Sequence, residues 1–539
     1  MRNFCFSLAA AGTAIFIVAC NDSTSPDKAG DMAADQANAA NAVPNVSVPP
    51  GYFLEPVSTG FDFPTAVATS DHGIWVAEAG ILPGFPPKVK RVNGDGSSTT
   101  ILSGDELGGR LMGPLTDVTF HDGWLWITHR QVGSNGWAVG AISKFQPDNP
   151  AGTFTTVLTD LPSAGDHYSE ELVFGPDGRA YFAQGSATNS SVVGADNWLI
   201  TGWLQTAPTF HDFPAKDVVL NGSSFTTRVA FPLDPEADDV TAPFRPFGSG
   251  AVAAGTTIPA ATAAAPQEGM IIGNGAVYSF DPAAGASSLR LEGWGFRNPY
   301  GIGLDPLNSG VLFVTNNGAD TRGTAGETSV PVDEDELQIV ESRPIDEEFD
   351  DLFQIQLGGS EEFFGWPDFF HDPETGAVLP VNDEEFCEEL PECPDFVLDA
   401  AFRQGLTVQP AVTELGYHTS ANKFDIATST QFKHEGDLFV AETGSFVPVT
   451  GATEFTGFKV VSVDRGGHVS DFIVNTGTTA GTIFDPAGFN KPIDVKFQGD
   501  AMLIVDFGVF EPGLQLQQPG TGKLWAVCHG RAGCNKLTS

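Results

Sequence analysis

Six stretches of the chain share one pattern, in which an apolar run, a polar turn and a second apolar run follow one another. The third stretch reads SEELVFGPDGRAYFAQGS and places apolar side chains on both sides of a Pro-Asp-Gly turn. Apolar alternation with period two around such a turn predicts an antiparallel β-hairpin. The six stretches span residues 64–80, 115–130, 169–186, 299–318, 423–444 and 492–508.

Repetition of one hairpin predicts an all-β fold, a six-bladed β-propeller in which each hairpin supplies the inner strands of a blade. The gaps after the third and fourth hairpins are much longer than the others. They predict insertions over about residues 187–270 and 319–420. Lengthened loops at one end of a propeller channel are where its chemistry is expected. A pair of β-sandwiches is the alternative, and the shared pattern favours the propeller.

The N-terminal segment is predicted to lie outside the fold. MRNFCFSLAAAGTAIFIVAC, residues 1–20, has the basic start, apolar centre and small-residue end of a secretory signal, and is too short to span a membrane. Its last four residues resemble a bacterial lipoprotein cleavage site, which makes Cys20 the predicted lipidated residue. Ordinary cleavage near Ala19 is the alternative. Residues 21–50 are small and polar and predict a flexible tether, followed by the propeller over 51–539.

The composition excludes one class of partner. The 539 residues carry a formal net charge of −42, and 17% are charged. Phosphate binding needs lysine and arginine, so no nucleic-acid partner is expected. A strongly solvated surface accounts for most of the carboxylates, and some of them are candidates for binding divalent cations.

Two pairs of cysteines lie close together in the exported part of the chain. Cys387 is near Cys393, and Cys528 is near Cys534. In an oxidising compartment this spacing predicts two local disulfides. A zinc site is the alternative, but no cluster of cysteine and histidine with metal-ligand spacing supports it.

Candidate chemistry precedes the third and fourth hairpins. Asp166 and His167 stand just before the third, where the histidine is either a surface residue or a base at the channel mouth. GFRNPYGIGLDP, residues 295–306, places Arg297 and Asn298 at the entrance to a strand. The planar guanidinium suits carboxylates, although a structural arginine that bonds loop carbonyls is an equal alternative.

The segment that follows is rich in oxygen ligands. Asn317, Gly318 and Ala319 offer amide and backbone oxygens, and Asp335 and Glu336 belong to a later acidic run. Calcium takes six to eight oxygens from such a mixture, so a metal site is predicted here; a solvated acidic loop is the alternative.

The order of these motifs resembles the glucose/sorbosone dehydrogenase family, which includes soluble glucose dehydrogenases that use pyrroloquinoline quinone (PQQ). The resemblance rests on Asp166-His167 before LVFGPDG, then GFRNPYGIGLDP, NNG, DEL and FFGWPDFF, and it covers most of residues 50–527. The family fold is a six-bladed propeller, in agreement with the hairpin count.

The resemblance implies roles for individual residues. His167 is implied as the general base, which takes a proton from the C1 hydroxyl of a sugar, with Asp166 orienting its ring. Arg297, Asn298, Asn317 and Lys491 are implied to contact the cofactor.

Metal roles follow from the same resemblance. The carbonyls of Gly318 and Ala319 are implied ligands of the catalytic calcium, and Asp335 and Glu336 are implied ligands of a structural calcium. A cofactor-pairing lysine expected near residues 440–446 and a glutamine expected within 108–120 are absent, and His418 is a candidate substitute for one such contact.

Together with the signal segment, the resemblance implies an exported quinoprotein dehydrogenase that oxidises a sugar or aldose at C1 with PQQ and calcium. It would pass electrons to an acceptor in the bacterial cell envelope, as a periplasmic or cell-surface lipoprotein that touches the membrane only through its N-terminal lipid. Two alternatives stay open, a non-catalytic cell-surface scaffold and a calcium-dependent lactonase-type hydrolase.

Overall fold

A computed structural model describes residues 43–199, 201–227, 240–320, 329–332, 335–338, 342–372, 375–383, 387, 393–447, 454–530 and 534. Six sheets of four or five strands are arranged as blades, which confirms the predicted six-bladed propeller. The first strands of neighbouring blades contact one another in a closed ring. Cys20 and the signal segment lie outside the described residues.

Each predicted hairpin supplies the two inner strands of one blade, and the blades are numbered here in chain order. Blade 1 consists of Pro64–Ser70, Gly73–Glu78, Lys88–Val92 and Ser98–Ser103; blade 2 of Met112–His121, Trp124–Val132, Ala138–Phe145 and Thr155–Leu161; blade 3 of Ser169–Phe174, Ala180–Gln184, Ala276–Phe280, Arg290–Trp294 and Glu362–Phe363. Blade 4 consists of Asn298–Asp305, Asn308–Asn317, Phe349–Gln356 and Thr413–Tyr417; blade 5 of Ala421–Ile426, Leu438–Glu442, Lys459–Val463, Val469–Asn475 and Val46–Ser47; blade 6 of Pro492–Gln498, Ala501–Asp506, Gly522–His529 and Tyr52–Phe61.

Blade 6 closes the ring with both ends of the described chain. Its outer strand, Tyr52–Phe61, pairs antiparallel with Gly522–His529. The strand Val46–Ser47 also pairs with blade 5, so the described strands begin inside the segment predicted as a tether.

Burial explains why the inner hairpins were readable from the sequence. Every residue of Ala180–Gln184, Leu438–Glu442 and Ala501–Asp506 is buried, since blades pack on both faces of these strands. Strands buried on both faces are nearly continuous apolar runs. The outer strand Ser98–Ser103 exposes Thr99 and Thr100 and carries a weaker pattern.

Carboxylates in the first strands join neighbouring blades. Each accepts a hydrogen bond from a backbone N–H of the next blade: Asp117 from Leu172 at 3.1 Å, Glu171 from Ile302 at 2.8 Å, Asp425 from Phe497 at 2.7 Å and Asp494 from Val67 at 2.9 Å. Lysines complete this charged cluster on the propeller axis. Lys423 binds Asp117 at 2.7 Å, and Lys496 binds Glu171.

The two predicted insertions pack against each other, but the second range, 319–420, also contains the two outer strands of blade 4, Phe349–Gln356 and Thr413–Tyr417. Leu220 in the first forms a β-bridge with Leu398 in the second, and both side chains belong to one apolar core with Phe363 and Trp366. Short strand pairs occur in these and other loops: Val218–Val219 with Thr257–Ile258, Phe225–Thr226 with Val240–Thr241, Ser329–Val332 with Asp335–Gln338, Phe369–His371 with Val378–Pro380, and Phe510–Glu511 with Leu516–Gln517.

Helical segments are short and lie in the connections. The α-helices are Gly104–Leu107, Pro150–Thr153, Ala195–Leu199, Ala400–Gln404 and Ala480–Ile483, and the 3₁₀ turns are Gly108–Arg110, Trp203–Gln205, Gly285–Ser288 and Pro512–Leu514. Within the described ranges, no helix has both the length and the apolar character needed to cross a membrane.

Both predicted disulfides are present. Cys387 bonds Cys393 with Cα atoms 5.3 Å apart, and Cys528 bonds Cys534 with Cα atoms 5.6 Å apart. The zinc alternative for these cysteines is therefore wrong.

Candidate active site in the central cavity

A cavity of about 1080 Å³ opens where the innermost strands of the blades begin. Its wall contains residues from every blade, because the ring brings the starts of these strands together. Six of the predicted site residues line it: Asp166, His167, Arg297, Asn298, Asn317 and Gly318. Residues far apart in the chain thus line one cavity.

The His167 ring is held in one orientation by the backbone. The ring Nδ1 lies 2.9 Å from the carbonyl oxygen of Ser186, and the backbone N–H of His167 donates to the same oxygen at 3.2 Å. A carbonyl oxygen only accepts hydrogen bonds, so in the neutral ring Nδ1 carries the proton and Nε2 carries the lone pair. A half-buried imidazole in this tautomer can accept a proton at Nε2.

Asp166 is positioned by the first insertion. Its carboxylate accepts hydrogen bonds from Trp203 Nε1 at 2.6 Å and from Asn197 Nδ2 at 3.3 Å. The resemblance implies that Asp166 orients the His167 ring. The hydrogen bond of His167 Nδ1 described above is instead with the Ser186 carbonyl. The roles of Trp203 and Asn197 were not predicted, since both lie in an insertion that has no counterpart among the repeated hairpins.

Arg297 and Asn298 stand side by side at the start of blade 4. The Arg297 guanidinium binds Asp320 at 2.6 Å, and the Asn298 amide donates to Asn317 Oδ1 at 2.9 Å. Both residues are buried, yet Arg297 Nε and Asn298 Oδ1 have no hydrogen-bond partner among the described residues. Unsatisfied buried polar atoms are rare, and in a cavity wall they indicate a place for ligand atoms.

His418 adds a second cation beside Asp320. Its Nδ1 lies 3.4 Å from Asp320 and its Nε2 lies 2.6 Å from Glu347. Burial alone would lower the pKa of His418, but the two carboxylates outweigh burial and raise it to about 10. At neutral pH the imidazole is therefore charged, and Asp320 lies between two cations.

The backbone at Gly318 and Ala319 is held by two carboxylates. The Gly318 N–H donates to Asp350 at 3.0 Å, and the Ala319 N–H donates to Glu348 at 3.1 Å. The Ala319 carbonyl accepts the Glu348 N–H at 2.9 Å. Gly318 is required here, because a Cβ atom would lie 2.3 Å from the carbonyl oxygen of Phe349.

The two predicted structural-calcium ligands lie at the edge of what the structure describes. Asp335 and Glu336 begin the short strand Asp335–Gln338, which pairs with Ser329–Val332. Their side chains lie outside the described residues, so this metal site stays a prediction.

Lys491 does not reach the cavity surface. Its side chain is fully buried, 3.4 Å from Glu511 and 4.1 Å from the ring centre of Phe446, a residue of the wall. Burial lowers the pKa of Lys491 to about 8, although Glu511 opposes the shift. Lys491 is not among the residues that line the cavity, so the structure does not bring it together with the other predicted cofactor contacts.

Several wall residues were missed by the sequence reasoning. Asp320 and Asp350 bind the predicted residues, and Glu170 faces the cavity with one buried oxygen unpartnered among the described residues. Burial raises the pKa of Glu170 to about 7. The sequence does indicate two of these residues. Asp320 directly follows the NNGA segment, and Glu170 directly precedes Glu171, one of the carboxylates of the first strands.

Comparison with known proteins supports the fold. No protein-family model matches the chain, and no curated protein sequence matches it. Two structures of a Trichoderma reesei carbohydrate-active enzyme of family AA12 align over 90% and 92% of this chain and 98% and 99% of theirs, with TM-scores of 0.52 and 0.50 at 14% and 16% identity; the second is described as a calcium structure.

A soluble aldose sugar dehydrogenase from Escherichia coli, solved in its apo form, aligns over 88% of this chain and 99% of its own, with a TM-score of 0.46 at 14% identity. At these identities the comparisons bear on architecture alone. The chain has the propeller fold that the glucose/sorbosone dehydrogenase resemblance implied.

Proposed function

We propose that the protein is an exported oxidoreductase that oxidises a sugar or related aldose at C1, with PQQ and calcium as cofactors. One observation carries this proposal: His167, Arg297 and Asn298, which the sequence resemblance assigns to a base and to cofactor contacts, line the same cavity. The cavity of about 1080 Å³ is at the upper end of the volumes typical of small-molecule sites, which suits a cofactor together with a sugar.

The polar groups of the wall fit the proposed cofactor. PQQ carries carboxylates and carbonyl oxygens, and Arg297 Nε is a buried donor with no partner among the described residues. Arg130 and the protonated His418 also line the cavity. The proposal assigns to these groups the contact with the cofactor that the missing lysine near residues 440–446 would have made.

The proposed chemistry assigns His167 a single proton transfer. Bound PQQ would supply the acceptor for the hydride that leaves C1 of the sugar. Nε2 of His167 would take the proton of the C1 hydroxyl, so that the alcohol loses two electrons and two hydrogens in all. The Ser186 carbonyl would keep the Nδ1–H in place and stabilise the charged ring.

Calcium would bind at the Gly318 side of the cavity. Gly318, Asp320 and Asp350 line this side and offer carbonyl and carboxylate oxygens, the ligands that calcium prefers. A calcium ion here would polarise cofactor oxygens. The Trichoderma reesei AA12 enzyme, which shares the fold, has a structure described as a calcium structure, and this supports calcium as the metal.

The cellular setting follows from the N-terminal segment. Residues 1–20 would direct export, Cys20 would carry the lipid, and the electrons would pass to an acceptor in the bacterial envelope.

The test is a titration of residues 21–539 with PQQ, with and without calcium, followed by absorbance and melting temperature (Tm). Saturable, calcium-dependent binding that raises Tm is expected. A panel of aldoses with a redox dye should then give turnover, which His167→Asn should lower by about 100-fold or more. His468→Asn is the matched control, since His468 lies on the surface with its side chain 85% exposed.

Two results would overturn the proposal. A well-folded protein that binds no PQQ would favour the scaffold alternative, and ester hydrolysis without dye reduction would favour the lactonase alternative. Full turnover by His167→Asn would remove the histidine from the role of base.

A further inference from the structure

A second cluster of potential ligands lies behind the cavity wall. Glu348 precedes the third strand of blade 4, Asp351 lies within it, and His371 ends the strand Phe369–His371 of the second insertion. Each residue offers one ligand atom, and these atoms lie within 4.8 Å of one another. All three residues are buried, with exposed fractions of 8%, 0% and 3%.

The hydrogen bonds of His371 determine which nitrogen faces the cluster. Its Nε2 lies 3.1 Å from the Gln409 carbonyl, which only accepts, so Nε2 carries the proton in the neutral ring. Nδ1 then carries the lone pair, and it lies 3.6 Å from Asp351 Oδ2. A lone pair thus faces a carboxylate oxygen, an arrangement that a cation between them would stabilise. Histidine ligands typically donate their other N–H to a carbonyl in this way.

The Asp351 carboxylate provides the second observation. Neither of its oxygens has a hydrogen-bond partner among the described residues, and His371 Nδ1 has none either. A register shift between Asp350 and Asp351 in the pairing with Thr413–Tyr417 marks a bulge, a feature that re-aims side chains. Asp350 binds Thr419 and Ala421, whereas Asp351 is directed to the cluster.

We propose that Glu348, Asp351 and His371 bind one divalent transition-metal ion, with zinc as the best match. Calcium and magnesium take oxygen ligands almost exclusively, whereas a buried imidazole with two carboxylates and a small number of ligands suits zinc. Tetrahedral zinc with bonds of about 2.1 Å separates its ligand atoms by roughly 3.4 Å, so the cluster contracts slightly on binding. A water molecule would complete the coordination.

The position of the ion suggests what it stabilises. The backbone N–H of Glu348 donates to the Ala319 carbonyl at 2.9 Å, and the Glu348 carboxylate accepts the Ala319 N–H at 3.1 Å. Ala319 lies between Gly318 and Asp320, both of which line the cavity. The ion would therefore join the strand Phe369–His371 to the third strand of blade 4 and position the wall segment that carries Asp320, without touching a substrate.

The experiment uses the whole mature chain and no PQQ, so it is independent of the proposed function. After chelation, the protein is titrated with zinc, manganese or calcium, and bound metal and Tm are measured. One equivalent of zinc is expected, with a rise in Tm of about 3 °C when free zinc exceeds the dissociation constant about 100-fold. Calcium at the same concentration should give a much smaller shift.

Two variants make the test specific. Asp351→Asn should abolish the zinc-induced rise and should raise the Tm of the metal-free protein, because an unpaired buried carboxylate is removed. His371→Gln should lose the bound equivalent. His129→Asn is the matched control: His129 is as buried, but both its ring nitrogens are hydrogen-bonded, to the Arg130 carbonyl and to Ser143. It should retain the zinc response.

Several results would overturn the assignment. No zinc at a 1:1 ratio in the wild type, or equal binding by Asp351→Asn, would remove the site. An Asp351-dependent response to calcium in place of zinc would overturn the metal class. If His371→Gln does not fold, Asp351→Asn alone decides between these outcomes.

Discussion

The ion pair between Lys423 and Asp117 offers the sharpest test of how the propeller axis is stabilised. Lys423 Nζ binds Asp117 at 2.7 Å and the Thr116 carbonyl at 2.6 Å, and the two side chains are 0% and 2% exposed. Lys423→Met would keep the apolar stem and leave Asp117 as an uncompensated buried charge. Removing one partner of a buried pair typically costs about 3–5 kcal/mol. Lys496 attracts the same carboxylate, which places the expected loss near ~3 kcal/mol.

The expected loss converts to a measurable shift in Tm. Unfolding entropy of about 2.1 cal/mol/K per residue gives ~1 kcal/mol/K for a fold of about 500 residues, so Tm should fall by about 3 °C at pH 7. Scanning fluorimetry or calorimetry resolves such a shift. Lys216→Met is the matched control, since Lys216 also lies 2.7 Å from a carboxylate, Glu361, but the side chains are 46% and 36% exposed. An exposed pair contributes about 0–1 kcal/mol, so the control should lose under about 1 °C.

A double variant separates the charge from the packing. Asp117→Asn in the Lys423→Met background removes the stranded charge and keeps an oxygen that accepts the Leu172 N–H. Part of the lost stability should return. Equal falls in Tm for Lys423→Met and Lys216→Met would refute the reasoning. So would a double variant whose fall in Tm equals the sum of those of Lys423→Met and Asp117→Asn measured singly.

Three further outcomes are expected. Asp320 and Glu347 outweigh burial and raise the pKa of His418 from 6.5 to about 10, so the charged imidazole should stabilise the fold fully below pH 6.5 and lose this effect as the pH rises toward 10. The difference in Tm between wild type and His418→Gln should therefore shrink over that range. A constant difference would contradict this. Gly185→Ala would place a Cβ atom 2.4 Å from the candidate base and should lower kcat/KM about 100-fold in the dye-linked assay, whereas Gly481→Ala, with no atom within 4 Å of its added Cβ, should not. Reduction of both disulfides, each closing a loop with a sequence separation of 6, should lower Tm by about 4 °C in total, and an unchanged Tm would mean that neither constrains the unfolded chain.

Much of the fold could be predicted from the sequence because its inner strands are buried on both faces. The hairpin at 423–444, for example, matches Ala421–Ile426 and Leu438–Glu442 of blade 5. The outer strands have one packed face and a weaker pattern, and blade 3 takes its fifth strand, Glu362–Phe363, from a distant insertion. Local periodicity carries no information about such long-range pairing.

The candidate site could be predicted only where motif order supplied information. His167, Arg297 and Asn298 were identified and do line one cavity. Lys491 is not part of the cavity wall, and nothing in its local sequence indicates that its side chain is fully buried. The Asp351 and His371 pair was missed, since its members come from different elements and meet only through the packing of an insertion.

Two kinds of buried polar group among the described residues differ in how the fold satisfies them, and the difference bears on the proposed function. Carboxylates of the first strands, such as Asp117, accept backbone N–H groups of the next blade, and so these hydrogen bonds are explained by closing the ring. Arg297 Nε, Asn298 Oδ1 and the Asp351 oxygens have no such partner among the described residues. A fold retains unsatisfied buried atoms at a cost in stability, so they are expected where a ligand supplies the missing bonds. The atoms of Arg297 and Asn298 lie at the cavity wall and those of Asp351 in the cluster behind it, so both proposed ligands would bind around the segment from Gly318 to Asp320.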